Sequence, residues 1–435
     1  MRIVQITPSA GDNFYCENCL RDTALARAIL KQGHDVLMMP LYLPLPEEPS
    51  DSASLTPMFF GGINVYLQQK SSLFRRTPRW LDGLFDSPKL LRWLSRHAGM
   101  TGAKDLGAMT VSMLAGEQGR QTKELDRLIE WLVAQDNKPD VLCLSNALLI
   151  GLARPVRQKL RVPVVCLLQD EDGFLDGLAS PYSQQAWQLI AGRAADVDMF
   201  IAVSKYFADV MRDRLKLPPE RICVVHTGIS LEGYEPAQSR PQVPTIGYLS
   251  RACPDRGLDT LVEAFIQAKA RPELRNAKLR IGGGRTRDDK AFLEKIHRRL
   301  NSNGLSSDVE FVENFGLAAR QAFLRTLSLL CVPERHPVAY GLYVLEALAS
   351  GVPVVEPAHG VFPELIEMTG GGLLCEPNNV RVFAEAIASL LLDPDRSRQL
   401  GTQGRAAVIE KFNIDQTVRN LLRIYQDVVQ HGIRG

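Results

Sequence analysis

The sequence predicts an α/β protein made of two doubly wound domains. The chain opens with a strand (Arg2–Pro8), a loop, a helix (about 20–31) and a second strand, which is how such a domain begins. Its 435 residues are enough for two domains, each with its own core. A new strand, Thr245–Leu249, follows a proline-rich polar segment at 236–244, and such a segment is typical of a linker.

The composition is that of an ordinary globular protein. Hydrophobic residues make up 45% and charged residues 23%, and the net charge of +2 is too small to indicate nucleic-acid binding. Most of the eight cysteines stand alone, several inside apolar runs, which favours a reducing cytoplasm. The single Cys16-x-x-Cys19 pair favours helix-start packing over a metal or redox site. We expect a cytoplasmic chain, since neither a signal peptide nor an apolar run of membrane-spanning length is visible.

Polar residues follow the predicted strands of the first domain. Gln169 and the acidic run Asp170–Asp172 come directly after the apolar strand Val162–Leu168, and Asn146 ends the strand before it. Gly11 lies in the loop after the first strand. Parallel sheets bind ligands at this edge, so we expect a site there. The acidic run is interpreted as a solvated loop, because adjacent carboxylates alone define no metal geometry.

A basic, aromatic-rich insert occupies about residues 68–115. It includes RRTPRW and LLRWLSRH, with aromatic residues at intervals. Three interpretations stay open: an acceptor-binding surface, an amphipathic segment lying on an anionic membrane, and a helical lid that packs its aromatics inward.

Two stretches of the second domain carry the strongest signals. Arg251 and Arg256 flank a proline turn, and two cations in one loop can converge on a diphosphate. In the segment Cys331–Pro357, Gly341 precedes a helix whose N-terminus suits a phosphate, and Glu346 lies one turn further on. The alternatives are two exposed arginines and a solvated glutamate.

Together these motifs resemble the retaining family-4 glycosyltransferases, over essentially the whole chain. The sequences Gly341-Leu342 and Leu345-Glu346-Ala347 match the family's nucleotide signature, and Tyr340 is a conservative aromatic replacement. Val338 stands where the family has a first glutamate, for which Glu334 or His336 are candidate substitutes. The resemblance implies the GT-B fold: two Rossmann-like domains facing a cleft, with the C-terminal helix returning to the first domain. The implied boundaries are 1–235, 236–412 and 413–435.

The resemblance also assigns roles to residues. Arg251 and Arg256 would hold and neutralise the donor diphosphate, and Glu346 would hold the ribose. Gln169, where the family often has histidine, would lie near the transferred sugar. The remaining donor-binding positions implied by the resemblance are Gly11, Asn314, Phe315, Tyr340, Gly341 and Leu342.

The expected function is transfer of a hexosyl group from a nucleotide-sugar, with UDP or GDP as the nucleotide. The resemblance implies retention at the anomeric carbon, no metal and no further cofactor. The acceptor is an unidentified glycan, lipid or small molecule, and peripheral membrane contact stays open. Val338, Gln169 and Thr227 depart from the family pattern. They leave two alternatives: a degenerate GT-B protein that binds without efficient turnover, and a nucleotide-sugar isomerase or hydrolase.

Overall fold

The computed structural model describes residues 1–8, 17–41, 103–134, 138–238, 241–313 and 316–431. These residues form two compact units. The chain passes from the first unit to the second between Val225 and His226, and it returns to the first unit at Val418. The sequence predicts domain boundaries after residues 235 and 412. These boundaries stay predictions. Of the predicted insert, the structure describes only residues 103–115, most of which form a helix.

The first unit is built on a parallel six-stranded sheet. Its strands are β1 (Arg2–Pro8), β2 (Asp35–Leu41), β3 (Val141–Leu144), β4 (Val164–Leu168), β5 (Met199–Ala202) and β6 (Ile222–Val224). Their order across the sheet is β2-β1-β3-β4-β5-β6. Every residue of β3 and β4 is buried, as expected for strands covered on both faces. The direction of winding reverses between β1 and β3, so their carboxyl ends mark a topological switch point.

Helices surround this sheet. They are α1 (Glu17–Lys31), α2 (Ala103–Leu114), α3 (Thr122–Val133), α4 (Ala153–Leu160), α5 (Glu171–Asp176), α6 (Tyr182–Arg193) and α7 (Lys205–Leu215). Their boundaries and buried faces follow from local sequence. In α3, Leu125, Ile129 and Leu132 recur at helical spacing and are buried. Before α7, the Ser204 hydroxyl accepts the Phe207 N–H at 3.2 Å and caps the helix.

The second unit repeats the plan. Its strands are β7 (Thr245–Leu249), β8 (Lys278–Gly282), β9 (Val309–Phe311), β10 (Leu329–Cys331), β11 (Val354–Pro357) and β12 (Gly372–Cys375). They are parallel and ordered β12-β11-β10-β7-β8-β9. The switch point of this sheet therefore lies between β7 and β10. The predicted α/β class with two doubly wound domains is confirmed.

The helices of the second unit also follow local signals. They are α8 (Leu258–Lys269), α9 (Lys290–Ser302), α10 (Leu317–Leu324), α11 (Leu342–Ala349), α12 (Phe362–Thr369), α13 (Val380–Leu392) and α14 (Pro394–Lys411). The Asp393 carboxylate accepts the Arg396 N–H at 3.0 Å, and Pro394 occupies the first helical position of α14. All eight residues of α11 are buried, in keeping with its nearly continuous apolar sequence.

The last helix, α15 (Ile414–His431), begins in the second unit and belongs to the first from Val418 onward. Its Tyr425 side chain is 2% exposed, and the hydroxyl lies 3.3 Å from the Cys143 sulfur of β3. The expected return of the terminal helix to the first domain is thus confirmed. Among the residues placed by the structure, no helix is both long and apolar enough to cross a membrane.

Candidate functional site

The loops after β7 and β10 flank the switch point of the second sheet. Arg251 and Arg256 lie in the first of these loops, and Glu334 lies in the second. The two loops are in direct contact, because the Arg335 N–H donates to the Asp255 carbonyl at 3.0 Å. The parallel sheet therefore carries both predicted diphosphate-binding cations to the edge where such folds bind ligands.

Arg251 is oriented by a buried carboxylate. Its guanidinium donates twice to Asp289, from Nε and Nη2, both at 2.9 Å, and once to the Thr286 hydroxyl at 2.9 Å. Asp289 is only 3% exposed. Burial raises its pKa, but the hydrogen bonds from Arg251 and Thr286 outweigh burial, so the pKa lies below its ordinary value. This bidentate pairing fixes the plane of the guanidinium.

Arg256 is held in the same way by a carboxylate on the neighbouring loop. Its Nη1 donates to Glu334 at 2.8 Å, and Glu334 is 2% exposed. The Tyr343 hydroxyl of α11 lies 3.4 Å from the same Glu334 oxygen. Glu334 therefore connects the cationic loop to the helix that carries the nucleotide signature. This engagement with Arg256 argues against Glu334 as a substitute for the carboxylate missing at Val338.

The loop between the two arginines is fixed at its backbone. The buried Tyr248 hydroxyl donates to the Arg251 carbonyl at 2.8 Å and lies 3.3 Å from that of Arg256. Gly257 ends the loop with φ +67°, and a Cβ there would lie 1.8 Å from the Pro333 carbonyl oxygen. Only glycine combines that φ with so close an approach, so the loop is rigidly placed against its neighbour.

Glu346 is buried in α11, with an exposure of 2%. Its Oε1 accepts the Tyr234 hydroxyl and lies 3.2 Å from Arg320 Nη2. Burial raises the pKa of Tyr234, and the Glu346 charge adds to the shift. Sequence reasoning did not find either partner, because Tyr234 and Arg320 are distant from Glu346 in the chain. The ribose-binding role of Glu346 stays a prediction.

The segment that leads into α11, together with the first residue of that helix, is tightly packed. Tyr340 and Leu342 are 6% and 4% exposed, and a Cβ on Gly341 would come within 3.2 Å of the Phe362 ring. Val338 is also buried, and its carbonyl accepts the Val361 N–H at 3.0 Å. The backbone of the signature is thereby fixed, while position 338 contributes an apolar side chain. Three predicted donor positions, Gly11, Asn314 and Phe315, lie outside the described residues.

The predicted site residue of the first unit, Gln169, follows β4 and is 1% exposed. Its side-chain Nε2 donates to the Ser145 carbonyl at 2.5 Å, and its backbone N–H donates to Glu171 at 2.5 Å. Glu171 is a residue that the sequence showed only as part of a solvated acidic run. In the structure it is 3% exposed, and only Asp172 and Asp170 of that run reach the solvent-accessible surface to an intermediate degree.

The described parts of the chain contain no group of three or more His, Cys, Asp or Glu residues that could hold a metal ion. The site at this sheet edge contains two guanidinium groups, each held by a buried carboxylate. Such groups can neutralise a leaving diphosphate.

Fold and site together define a protein of the GT-B class. Residues 113–232 match the family model described as Glycosyltransferase Family 4, and residues 235–407 match that of Glycosyl transferases group 1. The chain belongs to the family-4 glycosyltransferases, with a second domain of the group 1 type.

Individual relatives agree with this assignment. The MMP alpha-(1->4)-mannosyltransferase of Mycolicibacterium hassiacum is 23% identical over 411 residues, which cover 93% of each chain. A GDP-mannose-dependent alpha-(1-6)-phosphatidylinositol monomannoside mannosyltransferase of Mycobacterium tuberculosis is 30% identical over 184 residues. That alignment covers 41% of this chain and 46% of the relative, so it spans just under half of the relative's length.

Solved structures share the fold. Sucrose-phosphate synthase from Thermosynechococcus elongatus superposes with a TM-score of 0.73 at 16% identity, covering 99% of this chain and 100% of the other. Anabaena HepE in complex with UDP gives a TM-score of 0.69 at 15% identity, covering 98% and 100%. At these identities the likeness shows the GT-B fold and nothing finer.

Proposed function

We propose that this protein transfers a hexosyl group from a nucleotide-sugar to an acceptor, with retention at the anomeric carbon and without a metal. One observation carries the proposal: Arg251 and Arg256, each paired with a buried carboxylate, lie in the loop at the switch point of the second sheet. A departing nucleoside diphosphate carries charge that two fixed cations stabilise in place of a metal ion.

The donor and acceptor classes follow from the relatives. The mycobacterial relative is named for GDP-mannose and a phosphatidylinositol mannoside, others are named as D-inositol 3-phosphate glycosyltransferases, and HepE was crystallised with UDP. We propose GDP or UDP as the nucleotide and a glycan or inositol-type acceptor, free or lipid-linked. With retention assisted by the donor phosphate, as the family resemblance implies, no protein nucleophile is needed. We propose no cofactor beyond the donor.

A second candidate is supported by Val338. Because this side chain is apolar and buried, the position offers no carboxylate to the donor sugar. A protein that binds the nucleotide but turns the sugar over poorly, or one that hydrolyses or isomerises it, fits this feature.

The test is a calorimetric panel of UDP, GDP and ADP with their common sugar conjugates, without metal. The proposal expects one nucleotide to bind and its sugar conjugate to bind more tightly, followed by transfer or slow hydrolysis of that conjugate. Binding of the bare nucleotide with no gain from any sugar would favour the second candidate. Absence of all binding would refute the assignment of the two arginines.

Arg251→Ala sharpens this test. Loss of a charge-assisted contact to the diphosphate is worth about 1.5–3 kcal/mol, so nucleotide affinity should fall roughly 10- to 100-fold. Asp289 keeps the Thr286 N–H at 2.7 Å and hydroxyl at 2.8 Å as donors, which limits the structural damage. The matched control is Arg299→Ala, which removes an exposed arginine of α9 that pairs with Glu263 of α8. Equal affinity in the two variants would contradict the phosphate assignment.

Val338→Glu separates the two candidates further. If the site has only lost its sugar-binding carboxylate, the new side chain should raise donor hydrolysis or transfer. An unchanged rate would show that this chain positions its sugar by other groups.

A further inference from the structure

The carboxylate of Glu171 joins the ends of two neighbouring strands in the first unit. Its Oε1 accepts the N–H of Ala147, which follows β3, at 2.7 Å. Its Oε2 accepts the N–H of Gln169, which follows β4, at 2.5 Å. The side chain is 3% exposed, so both bonds are made away from water. One buried carboxylate thus sets the spacing of the β3 and β4 loops.

The position of the Gln169 side chain depends on that spacing. Its Nε2 donates to the carbonyl of Ser145, on the β3 loop, while its backbone is held by Glu171 on the β4 loop. Two polar atoms beside these contacts, Gln169 Oε1 and Ser145 Oγ, are buried and have no hydrogen-bond partner in the described structure. An acceptor and a hydroxyl donor with unused capacity lie at the sheet edge where this fold binds ligands.

Backbone geometry adds to the constraint. Asp170, between the two residues, has φ +64°, a left-handed conformation that costs free energy for a residue with a side chain. The hydrogen bond from the Gln169 N–H back to Glu171 spans this residue and stabilises the turn. Loss of the carboxylate would therefore release the turn as well as the contact between strands.

The charge state of Glu171 decides whether both bonds form. An ionised carboxylate accepts two N–H groups, whereas a protonated one presents an O–H donor to one of them. Burial raises the pKa of Glu171 to about 7, against the effect of the Ala147 and Gln169 N–H donors. Asp172 also raises it by charge repulsion, and the Cys166 thiol, whose own pKa is raised by burial, lies nearby.

We propose that Glu171 is a positioning residue, which in its ionised form holds the β3 and β4 loops so that the Gln169 amide and Ser145 hydroxyl are set for the transferred sugar. This inference rests on the proposed function and on the position near the transferred sugar that the family resemblance implies for Gln169. It assigns no chemical step to Glu171.

The experiment compares Glu171→Gln with Asp172→Asn. Both remove one negative charge from the first turn of α5. We call the two hydrogen bonds from the Ala147 and Gln169 N–H groups to Glu171 the clamp. Only Glu171→Gln places an NH2 group against a backbone N–H of this clamp. For each variant and the wild type, we would measure affinity for the bare nucleotide, affinity for the nucleotide-sugar, and kcat and KM for donor hydrolysis between pH 5.5 and 8.5. A thermal unfolding scan would check that each variant is folded.

The expected result is specific to Glu171→Gln. Nucleotide affinity should stay within about twofold of wild type, whereas kcat should fall at least about tenfold, since small misplacements of a positioning group are costly. The wild-type rate should fall on the acid side of pH 7, and this limb should be absent in Glu171→Gln. Asp172→Asn should keep the rate and an acid limb, which should move to lower pH because the charge repulsion that raises the pKa of Glu171 is removed. Equal rates and pH profiles in the two variants would overturn the inference.

Hydrogen–deuterium exchange tests the clamp without substrate. Peptides covering residues 145–149 and 167–171 should exchange at least about tenfold faster in Glu171→Gln than in Asp172→Asn. Unchanged protection would overturn the clamp. Failure of the proposed function appears differently, as a wild-type protein that binds no nucleotide while the exchange difference is still present; the clamp then stands and its assignment to the sugar is overturned.

Discussion

Replacing Glu356 tests how the core of the second unit tolerates a buried acid. This residue of β11 is 0% exposed, and neither carboxylate oxygen has a hydrogen-bond partner among the residues that the structure describes. Burial raises its pKa well above the ordinary value, and the nearby Glu334 charge raises it further. The Val332 N–H acts in the opposite direction, but burial and the Glu334 charge outweigh it. We therefore expect Glu356 to keep its proton to higher pH than an ordinary carboxyl group does.

The sign of the pH effect follows from linkage. A carboxyl whose folded pKa exceeds its unfolded value of 4.5 binds a proton in the folded state that the unfolded chain releases. The free energy of unfolding then falls as pH rises from about 4.5 to the folded pKa, by up to about 1.4 kcal/mol per pH unit. Between pH 5.5 and 7.5 the loss amounts to at most roughly 2.7 kcal/mol.

Two substitutions separate the pH-dependent loss of stability from the effect of the unpaired buried polar group. Glu356→Gln keeps the shape but does not titrate, so the pH-dependent loss should disappear. Glu356→Met also removes the unpaired buried polar group, and it should add about 1–3 kcal/mol to the stability of the second unit. The exposed Glu385→Gln, on α13, is the control and should reproduce the wild-type pH dependence.

The assay is hydrogen–deuterium exchange of the peptide that covers β11, at pH 5.5 and 7.5, corrected for intrinsic exchange rates. It reports the opening free energy of the second unit directly, whereas a two-domain chain need not unfold in a single two-state transition. The reasoning is refuted if the wild type and Glu356→Gln show the same pH dependence, or if Glu356→Met is less stable than the wild type at pH 7.5.

Three further predictions concern other buried features. Arg320→Met leaves the buried Glu346 carboxylate without its cation, and hydrogen–deuterium exchange of the peptide that covers α11 should show a loss of about 3–5 kcal/mol in opening free energy. Gly257→Ala places a Cβ on a residue with positive φ and against the Pro333 carbonyl, so the free energy of unfolding should fall by about 1–3 kcal/mol. Calorimetry should also show weaker nucleotide binding. Burial raises the pKa of Cys143 to about 12, so mass spectrometry should find this thiol unmodified after iodoacetamide treatment of native protein at pH 8.

Much of the fold could be predicted from local pattern. Strand β4 is an apolar run and is fully buried, and the chain restarts with a strand at Thr245, as expected for a second domain. Polar residues placed directly after such runs, Gln169 and Arg251, were identified as site candidates because parallel strands bring their ends to one edge. The structure places both residues at strand ends, where their roles stay predictions.

The partners of these residues could not be predicted. Asp289, which holds Arg251, and Arg320, which pairs with Glu346, carry no local signal, because each contact joins segments far apart in the chain. Glu171 illustrates the limit most clearly. In the sequence it belongs to a run of acidic residues that suggests a solvated loop, but the turn at Asp170 directs it into the protein.

The sequence by itself determined the two doubly wound domains, the order of their strands and helices along the chain, and the strand ends at which chemistry can occur. These depend on hydrophobic periodicity, glycine and proline positions and helix caps, which act over a few residues. Only the tertiary structure decided that Glu171 spans two strands, that Glu334 joins Arg256 to α11, and that the Glu356 carboxyl is buried without a hydrogen-bond partner among the described residues. Such properties depend on burial and on charges that folding brings together. Both depend on residues throughout the unit and not only on neighbours in the sequence.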